Sequence, residues 1–166
     1  MNGVAAPRHA PFLVEGAAAL SAVRPRGPTV SVVMVVYRTG EALAESLACV
    51  LADPLVDEFV IVDNGSSPTE AARLDGLVRD DRVVLLQGQG NVGFARGANL
   101  GAGRASGDIL VFLNPDAFLQ PGCIAELARE VETQPGLALV GGRVLNANGT
   151  EPVSYTHLTL PTIYSV

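Results

Sequence analysis

The chain has 166 residues, 48% hydrophobic and 17% charged, with a formal net charge of −6. That length and apolar content suit one domain with a real core. The negative balance argues against a general nucleic-acid surface, and no apolar run reaches the roughly 18 residues that a membrane span needs. Residues 1–28 are rich in Ala, Pro and Gly and read as a loose lead-in, with a short helix near residues 14–22. The apolar stretch at residues 12–23 is broken by Glu15 and Gly16, which does not suit a secretory signal. Residues 29–37 (TVSVVMVVY) are dominated by β-branched side chains and predict a buried strand.

Residues 41–51 carry Leu43, Leu47 and Val50 at helical spacing, and Asp53-Pro54 is a break. Residues 58–62 (EFVIV) predict a second strand, closed by Asp63-Asn64-Gly65-Ser66-Ser67-Pro68. Residues 69–79 are helical in pattern, and residues 82–86 (RVVLL) predict a third strand. A glycine-rich loop, residues 88–93, leads into a helix over 94–105, where Gly97 and Gly101 form a small face suited to close packing. Residues 108–113 predict a fourth strand, buried on both faces. Residues 121–133 predict a helix with Pro121 in its first turn, residues 137–145 a fifth strand, and Asn148-Gly149 a hairpin turn. Strands alternating with helices indicate an α/β fold of right-handed βαβ units around a mainly parallel sheet. Cys49 and Cys123 lie far apart inside helical patterns, without metal-ligand spacing. They read as reduced core thiols, and the cytoplasm follows as the compartment.

The fourth strand ends abruptly in Asn114-Pro115-Asp116. Pro115 fixes its own φ and keeps Asn114 out of the helical region, so the triplet is stiff and Asp116 is presented rather than packed, or else the segment is a strand-to-helix turn that Asp116 or Gln120 caps. Two other polar groups fall at strand ends, Tyr37-Arg38 and Asp63-Asn64. In a parallel sheet such ends share one edge, where ligands bind. Asp63 suits a nucleobase N–H, or equally an Asx-type turn within Asp-Asn-Gly-Ser. Asp116 offers hard oxygens suited to Mg²⁺ or Mn²⁺ if a diphosphate completes the shell. Gly88-Gln89-Gly90-Asn91-Val92-Gly93 is also a formal G-x-G-x-x-G between a strand and a helix, so a dinucleotide-binding oxidoreductase is a rival reading. Against that rival, the loop follows the third strand rather than the first.

The last fourteen residues, VSYTHLTLPTIYSV at 153–166, contain no Ala, Gly, Arg or acid, yet hold two of the three tyrosines, Tyr155 and Tyr164. The segment resembles the translated read-through of a transposon-type sequencing adapter. As a processing scar it stands outside fold reasoning, and His157 has no catalytic role.

Four segments carry a wider resemblance: residues 32–37, Val60-Ile61-Val62-Asp63-Asn64-Gly65-Ser66, Gly90-Asn91-Val92-Gly93-Phe94-Ala95 with Asn99, and Phe112-Leu113-Asn114-Pro115-Asp116-Ala117. Together they resemble family 2 glycosyltransferases of the GT-A fold. The Gly-Phe-Ala and Asn-Pro-Asp-Ala variants are most similar to the rhamnosyltransferase-like branch. The resemblance runs from about residue 28 to residue 152. It implies inverting transfer of a sugar, rhamnose for that branch, from a nucleoside diphosphate-sugar with Mg²⁺ or Mn²⁺. The acceptor it implies is a hydroxyl of a glycan or polyprenyl-diphosphate-linked molecule in cell-envelope polysaccharide synthesis, at the inner face of the membrane.

On this resemblance Asp63 matches the acid that binds the nucleobase, and Tyr37 lines the base pocket. Asn91, Phe94 and Asn99 match a segment over the donor, and Arg96 is placed to meet a phosphate. Asp116 matches the last acid of the D-x-D metal motif, while Asn114 stands where its first acid would be and is expected to bind the nucleotide-sugar. Arg38 occupies a position where many relatives carry Asn. In this family the general base lies after the metal motif. Glu126, Glu130 and Glu132 read as solvent-facing on their helix, and Glu151 adjoins the tail. The expectation is therefore a partial GT-A domain at 29–152 that holds the donor but lacks the base. The non-enzymatic alternative is a nucleotide-binding or regulatory module without chemistry.

Overall fold

The computed structural model describes residues 27–145 and the short strand Tyr164–Ser165. The elements are β1 (Val30–Val36), α1 (Ala42–Ala52), β2 (Val56–Asp63), α2 (Pro68–Leu77), β3 (Val83–Leu86), α3 (Phe94–Arg104), β4 (Ile109–Phe112), α4 (Cys123–Thr133), β5 (Val140–Gly141) and β6 (Tyr164–Ser165). Strands β1 to β4 form one sheet in the order β3-β2-β1-β4, with every pair parallel. The α/β reading holds. The predicted lead-in helix and the Asn148-Gly149 turn lie outside the described residues.

β1 has a neighbouring strand on each side and cover on both faces, so all of its residues are buried. On one face Val30, Val32, Met34 and Val36 join Phe59 and Ile61 of β2 under Leu43, Leu47 and Val50 of α1, Leu74 of α2 and Ile124 of α4. Each such side chain contributes about 1.5–3 kcal/mol on burial. On the other face Val33, Val35, Val60 and Val62 meet α3, which presents Gly97, Ala98 and Gly101. A Cβ on Gly101 would lie 2.4 Å from Val33 Cγ1, so the helix backbone is seated directly on the sheet. That is the close packing which the small face predicts.

Three expectations are corrected. β4 is not buried on both faces: Leu110 and Phe112 are 39% and 53% exposed. β4 is an edge strand, and α3 packs over β1 and β2 instead. Next, α4 starts at Cys123 rather than at Pro121, because Gly122 takes a left-handed φ of 84° and sets the helix start after the proline. Last, the predicted fifth strand at 137–145 contracts to Val140–Gly141, which pairs in parallel with Tyr164–Ser165 in a separate small sheet. Its flanks, with Leu139, Val144 and Leu145 exposed, have no covering layer among the described residues. The pairing also brings two residues of the 153–166 tail into backbone contact with the fold.

The amino-terminal edge of the sheet is tied by polar groups. Glu58 accepts from the Ser31 hydroxyl at 2.7 Å and from the Ser106 N–H at 2.7 Å. Arg82 donates to the carbonyls of Leu51 at 2.7 Å and Val56 at 3.1 Å, and it pairs with Asp80. Cys49 and Cys123 are free thiols, both pushed up by burial, with Glu45 and Asp53 respectively adding to the effect.

Candidate functional site

Because the four strands are parallel, their carboxyl ends share one edge. β1 lies between β2 and β4, and Val36 is level with Asp63 in the β1–β2 register. Tyr37-Arg38 therefore sits between the strand that ends in Asp63 and the strand that leads to Asp116. Two inter-strand spacings separate those outer strands, about 10 Å. That span matches a nucleoside diphosphate laid across the edge.

Asp63 is 6% exposed. Its Oδ1 accepts from the Ser66 N–H at 2.9 Å, and its carbonyl accepts from Gln89 Nε2 at 2.6 Å. The Asx-type turn is present, but it uses one carboxylate oxygen. Oδ2 has no partner among the described residues. The Ser66 hydroxyl is buried and likewise without a hydrogen-bond partner among those residues. Turn and ligand are thus compatible roles for one carboxylate.

Tyr37 is 42% exposed, and the Arg38 guanidinium lies 5.1 Å from its ring centroid. Arg38 has a φ of 52°, the one positive value outside glycine among the described residues. An L-residue in that region is strained by about 1–2 kcal/mol. Strain of this kind at a strand end is a recurrent feature of ligand sites.

The Asn114-Pro115-Asp116-Ala117 segment closes as a turn in which the Ala117 N–H donates to the Asn114 carbonyl at 3.0 Å. The turn is anchored twice: the Leu113 N–H donates to Val33 at 3.0 Å, and the Ser46 hydroxyl donates to the Ala117 carbonyl at 2.7 Å. The side chains of Asn114 and Asp116 are exposed, and Asp116 has no partner among the described residues. Sequence reading missed Ser46. The available signal was a lone hydroxyl on the apolar stripe of Leu43, Leu47 and Val50.

A metal fits here only in company. No group of three His, Cys, Asp or Glu residues that could hold an ion occurs among the described residues. The hard oxygens of Asp116 and Asn114 suit Mg²⁺ or Mn²⁺ once phosphate oxygens fill the remaining positions.

The glycine-rich loop is folded onto the Asp63 turn. The Val92 N–H donates to Asn64 Oδ1 at 3.0 Å, and the Gly93 N–H donates to Asn91 Oδ1 at 3.0 Å. A dinucleotide loop needs such N–H groups free for a pyrophosphate. Here both are used internally, which disfavours the oxidoreductase alternative. Phe94, 63% exposed, starts α3 next to this loop, and Arg96 is exposed without an ion-pair partner among the described residues. Asn99 lies about 7.5 Å along the helix axis from Phe94 and about 200° around from Gly97, on the exposed side. Of the glutamates after the metal turn, Glu126 is exposed and pairs with Arg129 at 2.7 Å. Glu130 differs from its solvent-facing expectation. Its side chain is 16% exposed and is held by Arg129 and Gln134. Glu132 is exposed, and Glu151 and His157 lie outside the described residues.

The comparisons with known proteins bear on the family and the fold. The sequence model described as "Glycosyl transferase family 2" matches residues 31–164. O-antigen biosynthesis protein RfbC of Myxococcus xanthus is 34% identical over 119 residues, covering 69% of this chain and 9% of that protein. Glycosyltransferase GlyG of Streptococcus pneumoniae is 26% identical over 114 residues, covering 68% of this chain and 38% of GlyG. Among solved structures, mannosyltransferase PcManGT from Pyrobaculum calidifontis, in complex with GDP-Man and Mn²⁺, superposes with a TM-score of 0.63 at 22% identity. That match covers 74% of this chain and 37% of PcManGT. The chain thus spans well under half the length of each of these relatives. With the family model covering most of its residues and the sheet matching the GT-A fold, the chain belongs to glycosyl transferase family 2.

Proposed function

We propose that residues 29–152 are the donor-binding part of an inverting transferase that moves a sugar from a nucleoside diphosphate-sugar to a hydroxyl acceptor. The observation that carries this reading is the convergence on one sheet edge of two carboxylates with free oxygens, Asp63 and Asp116, with Tyr37-Arg38 between them. Asp63 Oδ2 accepts a nucleobase N–H, and the Tyr37 ring lines the base. Asp116 holds a divalent ion together with the diphosphate, Asn114 contacts the nucleotide-sugar, and Arg96 meets a phosphate. PcManGT, whose structure contains GDP-Man and Mn²⁺, supports this arrangement by its fold. Bound there, the ion would neutralise charge on the leaving diphosphate.

The acceptor oxygen needs a base within hydrogen-bond reach. Glu126 and Glu130 are engaged by Arg129, so neither is assigned that role. The 166-residue chain should therefore bind donor without forming acceptor product. Rhamnose as the sugar rests on the Gly-Phe-Ala and Asn-Pro-Asp-Ala motifs. A glycan acceptor is supported by the O-antigen role in the name of RfbC, and a polyprenyl-diphosphate-linked acceptor at the inner face of the membrane is part of the same proposal. Residues 1–28 remain a lead-in, and residues 153–166 a non-native tail, on composition alone.

Thermal shift with the purified chain tests the proposal. UDP, GDP or dTDP should raise the melting temperature, more so with Mn²⁺, and NAD(P) should not. Equal stabilisation by NAD(P), or none by any nucleoside diphosphate, would refute it.

A further inference from the structure

Asn64 is 4% exposed, and its backbone N–H and both ends of its carboxamide are engaged by other segments. Its N–H donates to the Val36 carbonyl at 2.8 Å, its Nδ2 donates to Asn91 Oδ1 at 3.3 Å, and its Oδ1 accepts the Val92 N–H at 3.0 Å. Asn91 Oδ1 also accepts the Gly93 N–H at 3.0 Å, immediately before α3. Gly65 permits this approach. Its φ is 94°, and a Cβ there would lie 2.7 Å from the Asn91 backbone nitrogen. Gln89 adds a third tie between the loop and the Asp63 turn, to the Asp63 carbonyl at 2.6 Å.

We propose that Asn64 and Asn91 are positioning residues for the donor site, a clasp that locks the Asp63 turn to the loop before α3. The inference rests on the donor-binding reading above. It gives Asn91 a role different from direct donor contact, because its carboxamide oxygen is already shared by two donors within the protein. Both asparagines act through other groups. The clasp holds Asp63, the end of β1 that carries Tyr37, and the start of α3 in one arrangement before any ligand arrives. Four backbone or side-chain groups would otherwise have to be ordered by the ligand itself. A loop that is competent only part of the time lowers apparent affinity by that fraction.

The test is isothermal titration of the 166-residue chain with UDP, GDP and dTDP plus Mn²⁺, using whichever binds the unmutated chain. Salt of about 0.3 M screens added charge beyond about 6 Å. Asn64→Ala and Asn91→Ala should each weaken binding about tenfold, the usual consequence of leaving a buried partner unsatisfied. The double variant should be no weaker than the worse single, because one clasp is lost in either case. Asn91→Asp keeps Oδ1 and should bind within about threefold of the parent. Amide exchange at Val92 and Gly93 should quicken in the alanine variants and slow again when nucleotide is bound, since the coupling is reciprocal.

Additive single effects, or Asn91→Asp as weak as Asn91→Ala, would overturn the clasp and return Asn91 to donor contact. If the unmutated chain binds no nucleoside diphosphate, the donor reading itself fails, and the clasp's role in it fails with it. Because these two failures are read from different proteins, they are distinguishable.

Discussion

Gly101→Ala and Gly103→Ala sit two residues apart on α3 and should have opposite effects. In a helix interior, alanine is favoured over glycine by about 1 kcal/mol. At Gly103 a new Cβ meets nothing within 4 Å, so Gly103→Ala keeps that gain, reduced by its place in the last turn. At Gly101 the new methyl would lie 2.4 Å from Val33 Cγ1 and 3.1 Å from Val62 Cγ2. Ordinary carbon contacts are about 3.5–4.0 Å, so a displacement of roughly 1 Å is required. Val33 cannot supply it easily, being 1% exposed on the interior strand β1 and β-branched. Helix α3 must lift, at an overpacking cost of about 1–3 kcal/mol.

Gly101 lies in the same last turn, so the reduced propensity gain is similar in both variants and the gap between them is close to that overpacking cost. For a chain of this size 1 kcal/mol corresponds to about 3 °C, which predicts a separation in Tm of about 3–9 °C. Differential scanning fluorimetry on the two variants and the parent reads it directly. Equal melting temperatures would show that α3 is not pressed against β1 and β2, and with it the placement of Phe94 and Arg96 would be lost.

Asp116→Asn should abolish the extra stabilisation that Mn²⁺ adds to nucleoside diphosphate binding while leaving nucleotide affinity without metal unchanged. Calorimetry with and without Mn²⁺ checks this, and unaltered metal dependence would remove Asp116 from the site. Arg82→Met should cost about 2–3 kcal/mol in chemical denaturation, because the Leu51 and Val56 carbonyls lose a partly buried cationic donor. A loss below about 0.5 kcal/mol, the size of an ordinary surface change, would contradict that accounting. Burial works to raise Glu58, but hydrogen bonds from the Ser106 N–H and the Ser31 and Ser106 hydroxyls, with Arg104 nearby, outweigh it and hold the pKa below its ordinary 4.5. Its contribution is therefore complete above that value and is lost as pH falls through the lower folded value. Glu58→Gln should be less stable than the parent at pH 7, and the difference should shrink in acid below about pH 4.5, followed by denaturation at stepped pH. A difference that grows on acidification would reverse the sign of the argument.

The legibility of this chain varied by element for physical reasons. Residues 30–36 announce a strand because β-branched apolar side chains satisfy both faces of a central position, and the structure makes β1 just that. The same logic misread β4. An apolar run such as Ile109–Phe112 has the same composition whether or not a layer covers both faces, and here Phe112 faces outward. The start of α4 moved because a left-handed Gly122 decides where helical hydrogen bonding begins, and a following pattern alone does not reveal it. Leu139, Val144 and Leu145 suggested a long strand, but strand length depends on partners, and β5 pairs over two residues only.

Within the site, chain order and period alone determined that Tyr37-Arg38, Asp63-Asn64 and Asn114-Pro115-Asp116 end strands. The parallel direction of the strands then commits those ends to one edge. Local sequence also determined that Asp63 could turn and Asp116 be presented, because short polar side chains and proline act over two or three residues. What each polar atom does with its neighbours was decided only by tertiary structure. Asp63 commits one oxygen to a turn and leaves the other without a partner among the described residues, and Asn64 reaches 28 residues along the chain to Val92. Ser46 holds the Asp116 turn from 71 residues away. Hydrogen bonds of that span depend on where whole strands and helices come to rest. No local pattern of residues encodes them, because the partners meet only after the apolar faces of β1, α1 and α3 have been buried together.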